Sequence, residues 1–212
     1  MPGLLLHLTF GKMIHDKIGE KLNIDKVDFL SGCLIPDLTL DKKKSHFRVP
    51  ATVSKYFVPN MDRVKESLLK IDNSLYLGMY CHLFLDYHFF ENYIFKDYTW
   101  EDGYVTVAHN EKKLSEEEFF SREGIYSAYG ELNHLILNDG KFSNQDLSII
   151  PEILPNTNID VFDERREKTW ICELNEYFIT ENEYSGRILD YDSLIFYLEK
   201  LVPQFINTIY EG

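Results

Sequence analysis

The most apolar segment of this chain contains two side chains of the kind that bind metal ions. Residues 74–95 read SLYLGMYCHLFLDYHFFENYIF, a nearly unbroken run of aliphatic and aromatic residues that predicts a buried helix. His82 and Asp86 lie four positions apart in this segment and therefore share one helix face. Burying an ionised Asp costs several kcal/mol unless its charge is compensated. Two arrangements would compensate it: a bound metal ion, or a core histidine that hydrogen-bonds to Asp86.

Hydrophobic periodicity of the helical kind extends over almost the whole chain. Capping residues precede several of the apolar runs, namely Asp25 with Asp28, Asn60, and Ser115 with Glu118. The predicted helices cover residues 5–22, short segments after the Asp25 and Asn60 caps, residues 74–95, residues 115–138 and roughly residues 165–180 and 191–209. Strand-like alternation is found only around residues 103–108.

These patterns predict an all-α fold that forms a single domain over residues 1–212. The expected architecture is a helical bundle around a long, buried central helix, which is the apolar segment at residues 74–95. The candidate metal ligands fall in residues 1–140. The C-terminal helices, in residues 141–212, are expected to pack on that half.

Charge and composition restrict the classes of partner. The formal net charge is −13, from 22 Lys and Arg against 35 Asp and Glu, which opposes binding to nucleic-acid phosphates or to anionic lipid surfaces. No apolar stretch is long enough to span a bilayer, and residues 1–12 lack the basic leader of a signal peptide. Three scattered cysteines, Cys33, Cys81 and Cys172, predict free thiols. We therefore expect a cytoplasmic protein, whose oligomeric state the sequence does not indicate.

Further candidate ligands come from the first 50 residues. His7 lies in the middle of the apolar stripe of the first predicted helix, where a lone histidine is more often a core residue than a ligand. Asp37 and His46 bracket the segment PDLTLDKKKSH, in which they also fit a turn aspartate after a proline and a surface histidine beside lysines. Together with His7, His82 and Asp86 they form an ordered set of candidate ligands along the chain.

Two segments that contain most of these residues resemble a known protein family. Residues 32–47, GCLIPDLTLDKKKSHF, and residues 76–87, YLGMYCHLFLDY, resemble the zinc-dependent phospholipase C family. Members of that family combine a GxxxPD segment, a downstream His and a long helix with HxxxD, and many begin with MP followed by a His-xxx-Gly stretch, as here with residues 7–11. The resemblance covers about the first 90 residues.

By this resemblance, Asp37, His46, His82 and Asp86 hold one zinc ion, and His7 serves a second ion that shares Asp86. Nitrogen and oxygen ligands of this kind suit one or two zinc ions and also permit iron or manganese.

The chain departs from the family pattern at a remaining zinc site, which uses a later His and then an HxxxE pair. Asn92 stands near the first of these positions, and the pair corresponds to His134 with Asn138. Glu131, three residues before His134, offers a carboxylate on the same helix face, so His134 is a sixth candidate metal ligand. This single ExxH motif also resembles the metal-binding motif of ferritin-like di-iron proteins, but those proteins require two such motifs.

The expected function is metal-dependent hydrolysis of a phosphoric ester, with a small phosphoester or a phospholipid as substrate. Asp37 is the candidate general base. The alternative is a non-catalytic metal-binding or structural helical protein.

Overall fold

The computed structural model describes residues 3–54, 56–69, 72–166, 169–178 and 188–211. The fold is mostly helical, as predicted. Its α-helices are α1 (Leu4–Ile18), α2 (Lys26–Gly32), α3 (Lys42–Ser45), α4 (Met61–Leu68), α5 (Ser74–His88), α6 (Phe95–Asp97), α7 (Glu116–Phe119), α8 (Ser127–Asn138), α9 (Asn144–Ser148), α10 (Asp160–Asp163), α11 (Trp170–Phe178) and α12 (Tyr191–Glu211). A 3₁₀ turn covers Ile35–Leu38, and π-helical segments cover Phe89–Ile94 and Arg122–Tyr126.

The predicted central helix is α5 with the π-helical segment that follows it. Asn73 caps α5, because its side chain accepts a hydrogen bond from the backbone amide of Leu75. Most of α5 is buried, and the helix packs against α1, α2 and α4. Because α5 is enclosed by other helices, every polar side chain on it needs a partner inside the protein.

The predicted caps at Asp25 and Asn60 are confirmed, since each side chain accepts from a backbone amide of the helix that it precedes. The Ser115 and Glu118 capping box is also present, but the helix that it opens ends at Phe119. The chain bends at Gly124, which has non-helical backbone angles and no room for a side chain beside the carbonyls of α7. One predicted helix over residues 115–138 is therefore two, α7 and α8.

The all-α prediction is too narrow, because the structure also contains two small antiparallel sheets. β1 (Arg48–Pro50) pairs with β2 (Phe57–Pro59). β3 (Thr99–Glu101), β4 (Tyr104–Thr106) and β5 (Lys113–Ser115) form a three-stranded meander. β4 lies within residues 103–108, where the sequence shows strand-like alternation, so that prediction is confirmed. The other strands have three residues each and show no such alternation in the sequence. The sequence does signal one turn, since Asp102 and Gly103 have positive φ and form the Asp-Gly connection of a hairpin.

The C-terminal helices pack on the N-terminal part of the chain, with α12 against α1 and α11 against α8. The predicted helices at residues 165–180 and 191–209 correspond to α11 and α12, although residues 167–168 and 179–187 lie outside the described residues. All three cysteines are free thiols, and only Cys172 is exposed. None of the helices that the structure describes has both the length and the apolar composition needed to cross a membrane.

Two glycines allow α2 and α5 to pack backbone against backbone. A β-carbon added at Gly78 would lie 2.0 Å from the carbonyl oxygen of Phe29 and 2.9 Å from the α-carbon of Gly32. A β-carbon added at Gly32 would lie 2.1 Å from the carbonyl oxygen of Leu75. Neither position tolerates a side chain, so this contact fixes how closely α5 approaches α2.

We expect Gly78→Ala to lower the free energy of unfolding by about 3 kcal/mol, the upper end of the usual cost of overpacking. The matched control is Gly140→Ala, where φ is +73° and nothing lies within 4 Å of the added carbon. That control should lose only about 1 kcal/mol, from the left-handed backbone alone. Chemical denaturation of both variants provides the measurement. Equal losses in the two variants would contradict the close helix contact.

Candidate metal centre

Five of the six predicted ligands meet at one point inside the protein. Each of the five residues is at most 5% exposed. They come from four parts of the chain: His7 from α1, Asp37 from the 3₁₀ turn, His46 from the end of α3, and His82 and Asp86 from α5. Two groups have donor atoms within 4.8 Å of one another, namely His7 with Asp37 and His82, and His46 with His82 and Asp86. His82 belongs to both groups, so the five side chains form one cluster.

The Asp86 carboxylate lies among the three imidazoles. Its Oδ1 is 3.5 Å from His7 Nε2, and its Oδ2 is 3.4 Å from His46 Nε2 and 3.6 Å from His82 Nε2. These separations exceed the 2.7–3.2 Å of an N–H···O hydrogen bond. None of these nitrogen and oxygen atoms has a hydrogen-bond partner among the described residues. The geometry therefore does not match the alternative of a core histidine bonded directly to Asp86.

Asp37 closes the cluster on the side towards solvent. Its Oδ1 is 3.6 Å from His46 Nε2, and its Oδ2 is 4.0 Å from His82 Nε2. Lys42 Nζ donates a hydrogen bond of 2.8 Å to Oδ1. The backbone after Asp37 is held in place by residues 164–166, since Leu40 N–H donates to the carbonyl of Glu164 and Arg166 N–H donates to the carbonyl of Leu38.

Backbone carbonyls orient two of the imidazoles. His82 Nδ1 donates to the carbonyl of Cys33 at 2.7 Å, and His46 Nδ1 donates to the carbonyl of Lys42 at 2.9 Å. A carbonyl accepts only, so the proton of each ring lies on Nδ1. The Nε2 atoms then present lone pairs to the cluster, which is the usual arrangement of a histidine that binds a metal.

His7 is held differently from the other two histidines. Its ring stacks on the ring of His82, with centroids 3.6 Å apart and planes 6° from parallel. Neither ring nitrogen of His7 has a hydrogen-bond partner among the described residues. A buried imidazole with both nitrogens unpaired is costly, which indicates that a further group belongs beside it.

The protonation states suit a cation. Burial alone would raise the pKa of Asp37, but Lys42 and the neighbouring imidazoles of His46 and His82 hold it well below the usual value. Burial likewise opposes ionisation of Asp86, and the three histidines lower its pKa. Burial, followed by the nearby His7, lowers the pKa of His82 to about 3. Ionised carboxylates beside a neutral imidazole are the forms that bind a divalent cation.

The sixth predicted ligand, His134, lies half-buried on α8 and belongs to neither donor group. Asn92, near the position of the family's later His, donates a hydrogen bond from Nδ2 to His88 Nδ1 at 2.6 Å. The structure thus gives no support to a separate site around Asn92 within the described residues. The role of His134 as a ligand stays a prediction.

Two residues near the cluster were not predicted. Lys42 is one of three consecutive lysines, and a run of like charges carries no sign of which member turns inward. Tyr56, whose ring stacks on Phe120 at 4.5 Å, comes from the loop between β1 and β2. Burial raises its pKa, followed by the charges of Tyr126 and Asp86.

No family model, no curated protein and no solved structure matches this chain. The resemblance to the zinc-dependent phospholipase C family therefore rests on the ordered motifs alone.

We expect the metal-free protein to lose stability as the pH falls from about 6.5 towards about 3. An unfolded histidine binds a proton below pH 6.5, whereas folded His82 remains neutral down to about pH 3. The unfolded state therefore binds more protons in this interval. The lowered pKa of His88, about 4, acts in the same direction, and the two aspartates add a further loss below about pH 3.8.

The measurement is chemical denaturation of chelator-treated protein at a series of pH values. His82→Gln should flatten the dependence, while the exposed His109→Gln serves as the matched control. A free energy of unfolding that stays constant or increases as the pH falls from 6.5 to 4 would contradict the assignment of His82 as neutral.

Proposed function

We propose that this protein is a metal-dependent phosphoric ester hydrolase, similar to the zinc-dependent phospholipase C family. One observation carries the proposal: buried nitrogen and oxygen atoms of His7, His46, His82 and Asp86 converge without bonding to one another. Such a group of unpaired polar atoms is unfavourable unless something occupies the space among them.

The donor set favours one class of ion. Three imidazoles and two carboxylates supply nitrogen and oxygen ligands and no thiolate. We propose zinc, as one or two ions, because imidazole with carboxylate is a common zinc environment; iron and manganese also accept these ligands. A divalent ion in this position supplies Lewis-acid chemistry to a phosphate ester.

The protein's own residues have separable roles in this proposal. Asp86 lies within 3.6 Å of all three imidazoles and is suited to be the shared carboxylate. The carbonyls of Cys33 and Lys42 fix the direction of His82 and His46.

Asp37 lies nearest to solvent, on the side where a substrate would arrive. Its low pKa keeps it ionised at neutral pH, which suits a ligand better than a general base, since a weakly basic carboxylate takes up a proton poorly.

A non-catalytic metal-binding protein is the second candidate function. It is favoured by the region around Asn92 and His134, where the family places further zinc ligands and where the structure forms no donor group among the described residues. A panel of phosphomonoesters, phosphodiesters and phospholipids separates the two functions, provided that the protein is first shown to contain metal. Metal without turnover of any ester favours the second.

We expect Asp86→Asn to reduce the bound metal to about a tenth or less of the wild-type content, because the shared carboxylate loses its charge and one acceptor oxygen. Any ester hydrolysis should be lost with it. Elemental analysis of purified protein gives the metal content. The matched control is Asp16→Asn. Asp16 is exposed, and among the described residues its carboxylate pairs only with Lys12.

Asp16→Asn should retain its metal. Wild-type metal content in Asp86→Asn would contradict the proposed centre, and so would an equal loss in both variants.

A further inference from the structure

The side chain of Lys42 lies where the buried cluster meets solvent. The five clustered residues are at most 5% exposed, whereas the side chain of Lys42 is 28% exposed and its ammonium contacts Asp37 at 2.8 Å. Asp37 is also the most exposed member of the cluster. A ligand that reaches the cluster along Asp37 therefore meets the ammonium of Lys42.

The backbone of Lys42 is held in position independently of its side chain. Its carbonyl accepts the Nδ1 proton of His46, and Asp41 caps α3 by accepting from the amides of Lys43 and Lys44. The same residue thus orients one candidate metal ligand through its carbonyl and contacts another through its ammonium. This double anchoring restricts the positions that the ammonium can take, which reduces the entropy lost when it binds a ligand.

Two donors of the ammonium remain available for a ligand. An ammonium has three N–H donors, and Asp37 Oδ1 is the acceptor that the structure shows for Lys42 among the described residues. The charge of the site also favours an anion. Two carboxylates and Lys42 sum to −1 with neutral imidazoles, and one divalent cation brings the total to +1.

We propose that Lys42 binds an anionic oxygen of the ligand at this centre, and that the substrate is a phosphate ester which carries at least one such oxygen. This inference rests on the proposed function and adds a recognition residue to it. Lys43 and Lys44 do not share the role, because both are exposed and Lys44 pairs with Asp41. Inorganic phosphate has the same anionic oxygens as an ester and serves as the probe.

The experiment compares wild type, Lys42→Met, Lys42→Arg and the matched control Lys43→Met, each loaded with zinc. Elemental analysis gives the metal content, and isothermal titration with inorganic phosphate gives the affinity of the loaded protein. Lys42→Met should keep its metal and bind phosphate about tenfold to a hundredfold more weakly, because it loses a charge-assisted hydrogen bond. Lys42→Arg should recover most of the affinity, and Lys43→Met should bind as wild type does.

Each contrary result has a distinct meaning. Fully loaded Lys42→Met with wild-type phosphate affinity would overturn the role of Lys42 while leaving the metal centre intact. An equal loss in Lys43→Met would show an effect of net charge alone, and loss of metal in Lys42→Met would show a role in building the centre; both outcomes overturn the proposal. Wild-type protein that takes up no metal would instead overturn the proposed function, and this inference with it.

Discussion

The burial of the Asp86 carboxylate on α5 is the constraint on which the rest of the centre depends. An ionised carboxylate that is 1% exposed must be compensated, and the structure surrounds it with three imidazoles at 3.4–3.6 Å. The Gly32–Gly78 contact brings the chain after α2 against α5, which places Asp37 beside the same imidazoles. The position of Asp37 relative to α5 thus follows from the close packing of α2 on α5.

The sequence predicts the parts of this arrangement that depend on local spacing. His82 and Asp86 share a face because they are four residues apart on a helix, and the apolar composition of α5 predicts that this face is buried. The caps at Asp25 and Asn60 are equally local, and they form as predicted. No local spacing predicts that His7, Asp37 and His46 join the two candidate ligands of α5; only the resemblance to the zinc-dependent phospholipase C family implies it.

The remaining features depend on tertiary contacts that periodicity does not encode. Apart from β4, the three-residue strands show no pattern that predicts them, and the break at Gly124 arises because α7 carbonyls occupy the space of a side chain. Which of the three neighbouring lysines turns towards Asp37 depends on the cap at Asp41 and on the His46 bond to the Lys42 carbonyl. A run of like charges contains neither piece of information.

We propose that a divalent cation belongs among these five side chains. Anomalous X-ray scattering from crystals of the zinc-loaded protein tests it most directly. We expect an anomalous peak about 2.0–2.2 Å from Nε2 atoms of the clustered histidines and from an oxygen of Asp86. A peak elsewhere on the protein, or clustered imidazoles that hydrogen-bond directly to the two aspartates with no ion between them, would contradict it.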